Sequence, residues 1–340
     1  MIRVGIVGCT GYTAIEAIRL VLKHPQATIS VATSRQAAGE DLGDLHPQFH
    51  GRTTVQVENL DGKEIAERCD VALCCLPHAA SAPIVESILE AGAKVVDLSA
   101  DYRLSSQALY ETWYEVDHPA PSRLGNTPYG LPELYADSIR GADLVANPGC
   151  YPTSAILPLA PLTKAGLIEL DSIIVDSKSG VSGAGRSPKL GTLYAEANES
   201  FAAYGVGTHR HQPEIVDIVN RFAGKELGLV FTPHLVPMDR GILSTIYVRA
   251  TQGESADSLM KCLSQFYEDK PFVRVTESLP KTKQVAFTNF CDIAIRQSGD
   301  WVLLVSVIDN LVKGASGAAV QCMNLMFGLE ETIGFDEAAA

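Results

Sequence analysis

The apolar residues in the first half of the chain form short runs separated by amphipathic stretches. A run at residues 2–7 predicts a strand, and apolar residues with helical spacing follow it up to Pro25. A helix is also predicted at 82–91. Further strands are predicted at 28–33, 70–78, 94–98 and 144–147. Strands that alternate with helices in this way predict an α/β domain with a parallel, doubly wound sheet.

The second half of the chain has a different pattern, in which strand-like runs dominate. They are predicted at 172–178, 229–236, 241–251 and 303–309. After the last of them, small residues at 314–319 introduce a stretch with helical spacing. We therefore predict a separate, sheet-rich domain, followed by a helix near the C-terminus.

Length and charge narrow the functional classes. A chain of 340 residues is long enough for two domains. Its formal net charge of −13 argues against nucleic acid or an anionic membrane as a partner, because both attract Lys- and Arg-rich surfaces.

No stretch reaches the roughly 20 apolar residues of a membrane helix, and the N-terminal pattern is not a signal peptide. The cysteines lack metal-ligand spacing, so we expect no metal. Because the sequence shows no export signal, we expect reduced thiols and a cytoplasmic location.

A glycine-rich turn follows the first predicted strand. Gly8 permits a tight turn, Gly11 allows close approach of phosphate, and Ala14 allows close packing of helix on strand. Such a turn places a pyrophosphate at a helix N-terminus, where backbone N–H groups and the helix dipole favour anions. The alternative is a glycine turn of an ordinary strand–helix–strand unit.

The end of the second strand indicates which dinucleotide is bound. NAD-binding domains usually carry an acidic residue here, which bonds the ribose 2′-hydroxyl. This chain has Ser34 and Arg35 instead, and a hydroxyl with a guanidinium suits a 2′-phosphate. We therefore predict NADP(H), although Arg35 could also be a solvated loop charge.

Cys150 has a different setting from the other cysteines. It follows a Pro-Gly turn after the strand predicted at 144–147, where a helix is expected to begin. Loops after the strands of such a sheet converge on one crevice, and Leu76 and Pro77 occupy another of these loops. A helix N-terminus would lower the thiol pKa and favour a nucleophile. The alternative is a small apolar residue that fills a gap.

The stretch after Cys150 is predicted to be a helix with a buried face. Pro152 is compatible with its first turn, where a missing N–H costs little. Pro158 and Pro161 are expected to interrupt the face that follows. Turns or packing explain the other seven cysteines.

A thiol that attacks an acyl group needs a base within reach. His209 and His211 precede a predicted helix start that includes Glu214, and both are acid–base candidates. A metal-binding pair is one alternative, although no further ligands complete a zinc site. A surface loop is the other.

Four segments together resemble a known family. They are Gly8–Thr13, Ala146–Thr153, Ser179–Arg186 and Thr208–Glu214, in this order. In this combination the chain resembles the N-acetyl-gamma-glutamyl-phosphate reductase family of arginine biosynthesis, from Met1 to about Gly334. That family belongs to a wider group with aspartate-semialdehyde dehydrogenase. The resemblance implies a Rossmann-type domain and an α+β catalytic domain with a mixed or antiparallel sheet.

The resemblance also implies a reaction, the NADPH-dependent reduction of an acyl phosphate to a semialdehyde with loss of phosphate. Cys150 would attack the acyl phosphate and form a thioester. We favour His211 as the acid–base group and His209 as the group that positions substrate, although the two could be exchanged. Glu214 would orient one imidazole or cap the helix.

An anionic substrate needs local cations in this acidic chain. Arg103 is a candidate phosphate ligand by its expected position and by the resemblance, and Lys178 and Arg210 are further cations; each could equally be a solvated surface charge. The glycine-rich segment around Ser182 could bind an anion through its backbone or be only a mobile loop. The expected substrate-binding residues are Arg103, Asn147, Ser179, Arg186 and Glu214.

The stretch after Asn310 returns to the nicotinamide side in the family that this chain resembles. The expected cofactor-binding residues are Gly8, Thr10, Gly11, Tyr12, Thr13, Ser34, Arg35, Leu76, Pro77, Ser182, Gly183, Asn310, Lys313 and Gly314. We expect residues 1–149 and 313–340 to form the NADP-binding domain and 150–312 the catalytic and oligomerisation domain. The resemblance implies a homo-oligomer, either a dimer or a tetramer.

Two other functions remain open. One is a related reductase that acts on aspartyl or aminoadipyl phosphate, although the His-Arg-His-Gln-Pro-Glu segment favours the acetylglutamyl substrate. The other is a non-catalytic protein that binds NADP.

Overall fold

The computed structural model describes residues 1–335. Within it the chain divides into two compact units. The first contains Met1–Pro148 and the described residues from Ala315 on, and the second contains Gly149–Gly314. The boundaries expected after residues 149 and 312 stay a prediction, and the part of the expected range at 336–340 lies outside the described residues.

The first unit contains a parallel sheet of six strands in the order β3-β2-β1-β4-β5-β6. The strands are β1 (Ile2–Val7), β2 (Ala27–Thr33), β3 (Val57–Glu58), β4 (Val71–Cys74), β5 (Lys94–Asp97) and β6 (Leu144–Ala146). Its helices are α1 (Tyr12–Val21), α2 (Leu42–Leu45), α3 (Gly62–Arg68), α4 (Ala82–Glu90), α5 (Gln107–Tyr114) and α6 (Pro132–Ile139). This strand order is that of dinucleotide-binding domains. The predicted doubly wound α/β sheet is therefore confirmed.

Burial explains why the strands of this sheet read as continuous apolar runs. All four residues of β4 are buried, as are the last four of β1. A parallel sheet covered by helices on both faces buries successive side chains on either side. The same geometry brings the loops that follow the strands to one edge of the sheet.

The second unit contains a mixed sheet of seven strands in the order β11-β12-β13-β10-β7-β9-β8. Its strands are β7 (Ile173–Gly180), β8 (Ala202–Ala203), β9 (Leu229–Val236), β10 (Ile242–Val248), β11 (Val273–Val275), β12 (Cys291–Ser298) and β13 (Trp301–Ile308). Its helices are α7 (Cys150–Ala165), α8 (Tyr194–Ala197), α9 (His211–Ala223), α10 (Ala256–Phe266) and α11 (Thr282–Val285). Helix α7 packs on β10 and β13, and alternate residues of β10 are fully buried. The predicted α+β architecture with a mixed sheet is confirmed.

Helix α7 corrects one expectation. It runs without a break through Pro158 and Pro161, and every residue from Tyr151 to Thr163 is buried. An interior proline removes a hydrogen bond and typically costs about 3 kcal/mol or more. Burial on nearly all sides outweighs this cost, because most helical stability in proteins comes from tertiary packing.

The chain then forms a π-helical turn at Val312–Ser316 and helix α12 (Gly317–Met326). In the first unit, α12 packs on α1 and α6. The Ser316 hydroxyl donates to the carbonyl oxygen of Thr13 at 2.6 Å, and the Asn324 amide oxygen pairs with His24 Nε2 at 2.9 Å. Every residue of α12 is buried, which explains its almost entirely apolar and small side chains.

Across residues 1–335, no helix combines the length and the apolar character that a membrane span needs.

Candidate active site

Gly8 forms the turn at the end of β1 and cannot be replaced without strain. Its φ is +82°, and a Cβ there would lie 2.8 Å from Leu76 Cδ2 and 3.1 Å from the Cys75 carbonyl oxygen. The backbone N–H groups of Gly8 and Cys9 donate to the Thr33 carbonyl oxygen at 3.1 and 2.9 Å. The turn is thus tied to the end of β2.

The N-terminus of α1 fits a phosphate group. Gly11 precedes the helix in an extended conformation, and a Cβ there would meet only Thr13 Oγ1, at 3.9 Å. Gly11 has no side chain that could cap the helix. A helix start that is uncapped and has room above it offers backbone N–H groups to an anion. Thr10, Tyr12 and Thr13 are its neighbours along the chain.

Ser34 and Arg35 lie directly after β2. The Ser34 hydroxyl accepts from the backbone N–H groups of Gln36 and Ala37, at 3.2 and 3.3 Å, and so shapes the turn. Arg35 is exposed. Arg35 is therefore accessible directly after Ser34 in the chain, and the 2′-phosphate site stays a prediction.

Asp97, at the end of β5, is a buried carboxylate that sequence reasoning missed. It accepts from the hydroxyls of Ser81 and Ser99, each at 2.6 Å. Burial raises the pKa of this carboxyl to about 6, against the lowering effect of the two hydroxyls. The residue joins the loop before α4 to the loop after β5.

Arg103 and Asn147 meet in the first unit. The buried Arg103 guanidinium donates from Nε to the Asn147 carbonyl oxygen at 2.7 Å and from Nη2 to the Leu98 carbonyl oxygen at 2.9 Å. Asn147 in turn donates from Nδ2 to the Ala315 carbonyl oxygen at 3.1 Å, and its buried Oδ1 accepts no hydrogen bond within residues 1–335. Arg103 therefore braces the strand ends, and Asn147 keeps an acceptor for a ligand or water.

Cys150 is the first residue of α7 and is half-buried. The preceding N–H, of Gly149, donates to Glu214 Oε1 at 2.8 Å. Glu214 is fully buried in the first turn of α9, the helix that begins with His211. One hydrogen bond thus joins the starts of the two helices that carry the predicted thiol and the predicted base. The N-terminus of a 16-residue helix favours an anion, and hence a thiolate, at Cys150.

His209 lies in an aromatic enclosure beside this cluster. Its ring centroid is 4.8 Å from that of His211, and 5.7, 5.3 and 5.4 Å from those of Tyr151, Tyr204 and Phe231. Its Nδ1 accepts from the backbone N–H of His211 at 3.1 Å, which leaves the proton of the neutral ring on Nε2. Burial, helped by the charge of Arg210, lowers the pKa of His209 to about 4. His209 is therefore neutral at physiological pH.

Tyr204 and Tyr151 add hydroxyls that sequence reasoning did not find. Tyr204 donates to the Tyr151 hydroxyl at 3.2 Å, and Tyr151 donates to the His234 carbonyl oxygen at 3.0 Å. Burial raises the pKa of Tyr204 to about 12, so its hydroxyl keeps its proton. Tyr204 lies in a loop without periodicity, and no sequence signal marks it.

Asn310 and Ser182, two expected cofactor ligands, bond to each other inside the second unit. Asn310 accepts at Oδ1 from the Gly241 N–H at 2.7 Å and donates from Nδ2 to Ser182 Oγ at 3.0 Å. The Ser182 hydroxyl donates to the Asp239 carbonyl oxygen at 2.6 Å. Gly183 lies beside them, since a Cβ there would be 3.6 Å from Asn310 Nδ2. Through these hydrogen bonds, Asn310 and Ser182 stabilise the local structure of the second unit.

The other expected ligands in the second unit differ in exposure. Ser179 is buried and donates to the Gly180 carbonyl oxygen at 3.0 Å. Lys313 is fully buried, with its ammonium 5.5 Å from the centre of the Phe272 ring. Arg186 is exposed. Only Arg186 of these three presents a charge at the surface of this unit.

Gly314 lies against the nucleophile candidate. A Cβ at this position would be 2.8 Å from Cys150 Cβ and 3.1 Å from Cys150 Cα. The Gly314 N–H donates to the Asp309 carbonyl oxygen at 3.0 Å, which fixes the π-helical turn behind Cys150. Gly314 therefore packs directly against Cys150, and its expected contact with the cofactor stays a prediction.

Comparison with known proteins decides the family. The model described as semialdehyde dehydrogenase, NAD binding domain, matches residues 3–142, and the one described as semialdehyde dehydrogenase, dimerisation domain, matches residues 150–310. N-acetyl-gamma-glutamyl-phosphate reductase of Rhodopirellula baltica is 60% identical over 338 residues, which are 98% of each chain. The protein of the same name from Desulforudis audaxviator is 50% identical over 339 residues, again 98% of each. The chain belongs to the N-acetyl-gamma-glutamyl-phosphate reductase family. The predicted resemblance is confirmed.

The fold of this family member is shared with a wider group. A crystal structure of aspartate semialdehyde dehydrogenase II from Vibrio cholerae superposes with a TM-score of 0.74, over 96% of this chain and 98% of that one. The two sequences are 18% identical, so the likeness concerns the fold.

Five of the other cysteines have raised thiol pKa values and are therefore poor nucleophiles. Burial raises the pKa of Cys9 and Cys69 to about 11 and that of Cys75 to about 12. Burial also raises the pKa values of Cys74 and Cys262. Across the part of the chain that the structure describes, no three His, Cys, Asp or Glu side chains form a metal-binding group.

Replacing Gly314 with alanine should lower kcat by about 10²-fold, because the new methyl group displaces Cys150 and small misplacements of reacting groups are costly. Steady-state kinetics of the purified variant measures the effect. Gly191→Ala is the matched control, because a Cβ at that exposed glycine meets no atom within 4 Å. Equal activity of the two variants would show that the contact with Cys150 is unimportant.

Proposed function

We propose that the protein reduces N-acetyl-L-glutamyl 5-phosphate to N-acetyl-L-glutamate 5-semialdehyde with NADPH, and releases inorganic phosphate, in arginine biosynthesis. The observation that carries the proposal is the Gly149–Glu214 hydrogen bond, which joins the N-termini of α7 and α9 and so groups Cys150 with His211. A thiol at a helix start and an imidazole at a second helix start are the parts that acyl transfer needs. The curated relatives described above bear the corresponding name.

In the first step, Cys150 Sγ attacks the acyl carbon. The thiol proton passes to His211, the bond from carbon to the phosphate oxygen breaks, and phosphate leaves with the electron pair. A thioester then joins the substrate to Cys150. NADPH, when bound, supplies the hydride that reduces this thioester. His211 returns a proton as the tetrahedral adduct collapses, so that the C–S bond breaks to give aldehyde and free Cys150.

The division of tasks between the two histidines rests on their geometry. His209 has its Nδ1 occupied by the backbone of His211 and stays neutral at pH 7, with a pKa of about 4. A neutral ring with a proton on Nε2 is suited to donate a hydrogen bond to substrate oxygen. We therefore assign acid–base work to His211 and substrate positioning to His209.

Glu214 is better suited to hold the cysteine turn than to bind substrate. Its carboxylate is fully buried and accepts from Gly149 N–H. A carboxylate would repel an anionic substrate, whereas a hydrogen bond to the residue before Cys150 fixes the helix start. Arg103, Asn147, Ser179 and Arg186 stay predicted substrate contacts.

The glycine turn and the start of α1 fit a dinucleotide, as the room above Gly11 and the tight packing at Gly8 indicate. Gly8, Thr10, Gly11, Tyr12 and Thr13 would hold the pyrophosphate. Leu76 and Pro77 would line the neighbouring loop, and Ser34 with Arg35 would bind the 2′-phosphate of NADP(H). Contacts of Ser182, Gly183, Asn310, Lys313 and Gly314 with the cofactor stay predictions.

Arg35→Asp should reduce the preference for NADP over NAD by about 10-fold or more, because a carboxylate repels the 2′-phosphate and accepts from a ribose hydroxyl. The ratio of kcat/KM for NADP and NAD measures it. Arg52→Asp, at another exposed arginine, is the control for the change in charge. An unchanged ratio in Arg35→Asp would remove Arg35 from the proposed site.

The reverse reaction tests the function as a whole. With N-acetylglutamate semialdehyde and NADP, addition of phosphate or arsenate should start formation of NADPH, seen by absorbance. Aspartate semialdehyde and aminoadipate semialdehyde, compared at equal concentrations, should give much lower kcat/KM. A higher value for either would assign the protein to a related substrate. Absence of turnover with all three, together with NADP binding, would support the non-catalytic alternative.

We also propose a homo-oligomer, a dimer or a tetramer, in the cytoplasm. The match to a dimerisation domain supports association. So do the large apolar side chains that the second unit exposes, among them Leu190, Tyr194, Phe201 and Val230.

A further inference from the structure

The loop between β4 and α4, residues 75–81, borders the glycine turn. Its Cys75 N–H donates to the Val7 carbonyl oxygen at 2.8 Å, and Leu76 packs where a side chain at Gly8 would otherwise lie. Farther along, Ala79 has a φ of +64°. This left-handed conformation is unfavourable for alanine and persists only where the surroundings enforce it. The 75–81 loop therefore carries backbone strain next to the predicted pyrophosphate site.

The carboxylate of Asp101 supplies the enforcing contacts. Its Oδ1 accepts from the backbone N–H of Ala79 at 2.7 Å, and its Oδ2 accepts from that of Ala82 at 3.0 Å. Ala82 is the first residue of α4, and the preceding Ser81 does not cap this helix with its side chain. Asp101 thus caps α4 from another part of the chain and holds the strained residue with the same carboxylate.

Asp101 is itself held rigidly. It is fully buried, its Oδ1 accepts a further hydrogen bond from the Tyr110 hydroxyl at 2.9 Å, and its backbone N–H donates to Ser99 Oγ at 3.1 Å. Its carbonyl oxygen pairs with His118 Nε2 at 2.8 Å, and the His118 ring packs edge-on against Tyr110. Hydrogen bonds to a buried carboxylate are among the stronger ones in proteins. The Asp101 carboxylate is therefore held in one position and can fix the 75–81 loop, which lies partly at the surface.

We propose that Asp101 is a positioning residue that holds the 75–81 loop, with Ala79 left-handed, in the shape that binds the dinucleotide. The inference rests on the proposed binding of NADP by the first unit. Asp101 need not touch the cofactor, because it acts through Ala79 and Ala82, while Leu76 and Pro77 provide the surface. Asp101 lies in the loop after β5 and the 75–81 loop follows β4, so the neighbouring strands bring the two loops to one edge of the sheet.

The test combines hydrogen exchange of the loop with calorimetric binding of NADP⁺ to the full chain. In the wild type, the Ala79 and Ala82 amides should be protected, although Ala79 is exposed. Asp101→Asn should speed the exchange of at least one of the two amides by about tenfold or more and raise the Kd for NADP⁺ by about tenfold, because the amide oxygen of asparagine can accept only one of the two N–H groups and its nitrogen cannot accept the other. Tyr110→Phe is the matched control, since it removes one donor to the same carboxylate and keeps both loop bonds; it should stay close to the wild type.

A double variant tests the strain directly. Glycine adopts the left-handed conformation without penalty, so Ala79→Gly added to Asp101→Asn should recover a few-fold of the lost affinity. Unprotected Ala79 and Ala82 amides in the wild type would overturn the proposal without any variant. An unchanged Kd for NADP⁺ in Asp101→Asn would also overturn the proposal. The same would follow if Tyr110→Phe lost as much affinity for NADP⁺ as Asp101→Asn. Failure of the wild type to bind NADP⁺ would instead overturn the proposed function. Hydrogen exchange at the Ala79 and Ala82 amides would still test whether Asp101 holds the loop.

Discussion

Cys150→Ser is expected to lower kcat by about 10⁴-fold or more, because a serine hydroxyl at the start of α7 is a far weaker nucleophile than a thiolate. The assay is NADPH formation from the semialdehyde, NADP and phosphate. A second readout is mass spectrometry after addition of acyl phosphate without NADPH, where only the wild type should gain the acyl group. Both measurements concern the same covalent bond, one through turnover and one directly.

Cys262→Ser is the control for this substitution. Cys262 lies on α10 and is half-buried like Cys150, and burial raises the pKa of its thiol. Its replacement should leave turnover within a few-fold of the wild type. Retained turnover in Cys150→Ser would contradict the covalent mechanism, and loss in both variants would point to damage of the fold.

His211→Asn should lower kcat by about 10²–10⁴-fold, the usual contribution of a positioned acid–base group. His209→Asn should lower kcat by about tenfold, because it removes a hydrogen bond and part of the aromatic enclosure but leaves the acid–base group in place. The expected difference follows from the Nδ1 of His209, which accepts from the His211 backbone. Steady-state kinetics of the two purified variants decides between the roles.

The pH dependence separates the two histidines further. Burial lowers the pKa of His209 to about 4, so this ring is neutral above about pH 5 and gains a proton only in more acidic solution. Any change of kcat with pH between pH 5.5 and 8 must therefore come from the titration of another group. The profile of His209→Asn should therefore keep the midpoint of the wild type. A midpoint that moves in His209→Asn would reverse the assignment.

The architecture could be predicted because local patterns of apolar residues and turn glycines indicate most of its strands and turns. Continuous apolar runs such as 2–7 mark strands buried on both faces, and Gly8 is required at a turn with positive φ next to Leu76. Helix α7 shows the limit of local rules. Pro158 and Pro161 indicate a break, but the burial of the helix is a tertiary property that outweighs them.

The site was predictable where residues stand in motifs and unpredictable where they act across the chain. Cys150, His209 and His211 lie in recognisable segments. Asp101 is 22 positions from the Ala79 N–H that it holds. Gly314 reaches Cys150 only because the chain folds back after β13. Such contacts depend on topology and on buried polar groups that must find partners, neither of which local periodicity records.

Cys150, His209, His211 and Glu214 lie in one compact unit, and the glycine turn and Arg35 lie in the other. With the roles proposed for these residues, this placement divides the chemistry into two half-reactions. In the proposed mechanism, Cys150 and His211, which make and break bonds during acyl exchange between phosphate and sulfur, both lie in the second unit. This step neither oxidises nor reduces the substrate. Reduction requires the first unit as well. An enzyme organised in this way would still exchange free phosphate with the acyl phosphate when its nucleotide site is disabled. Isotope exchange into the substrate therefore reports on attack by Cys150, with proton transfer to His211, separately from hydride transfer.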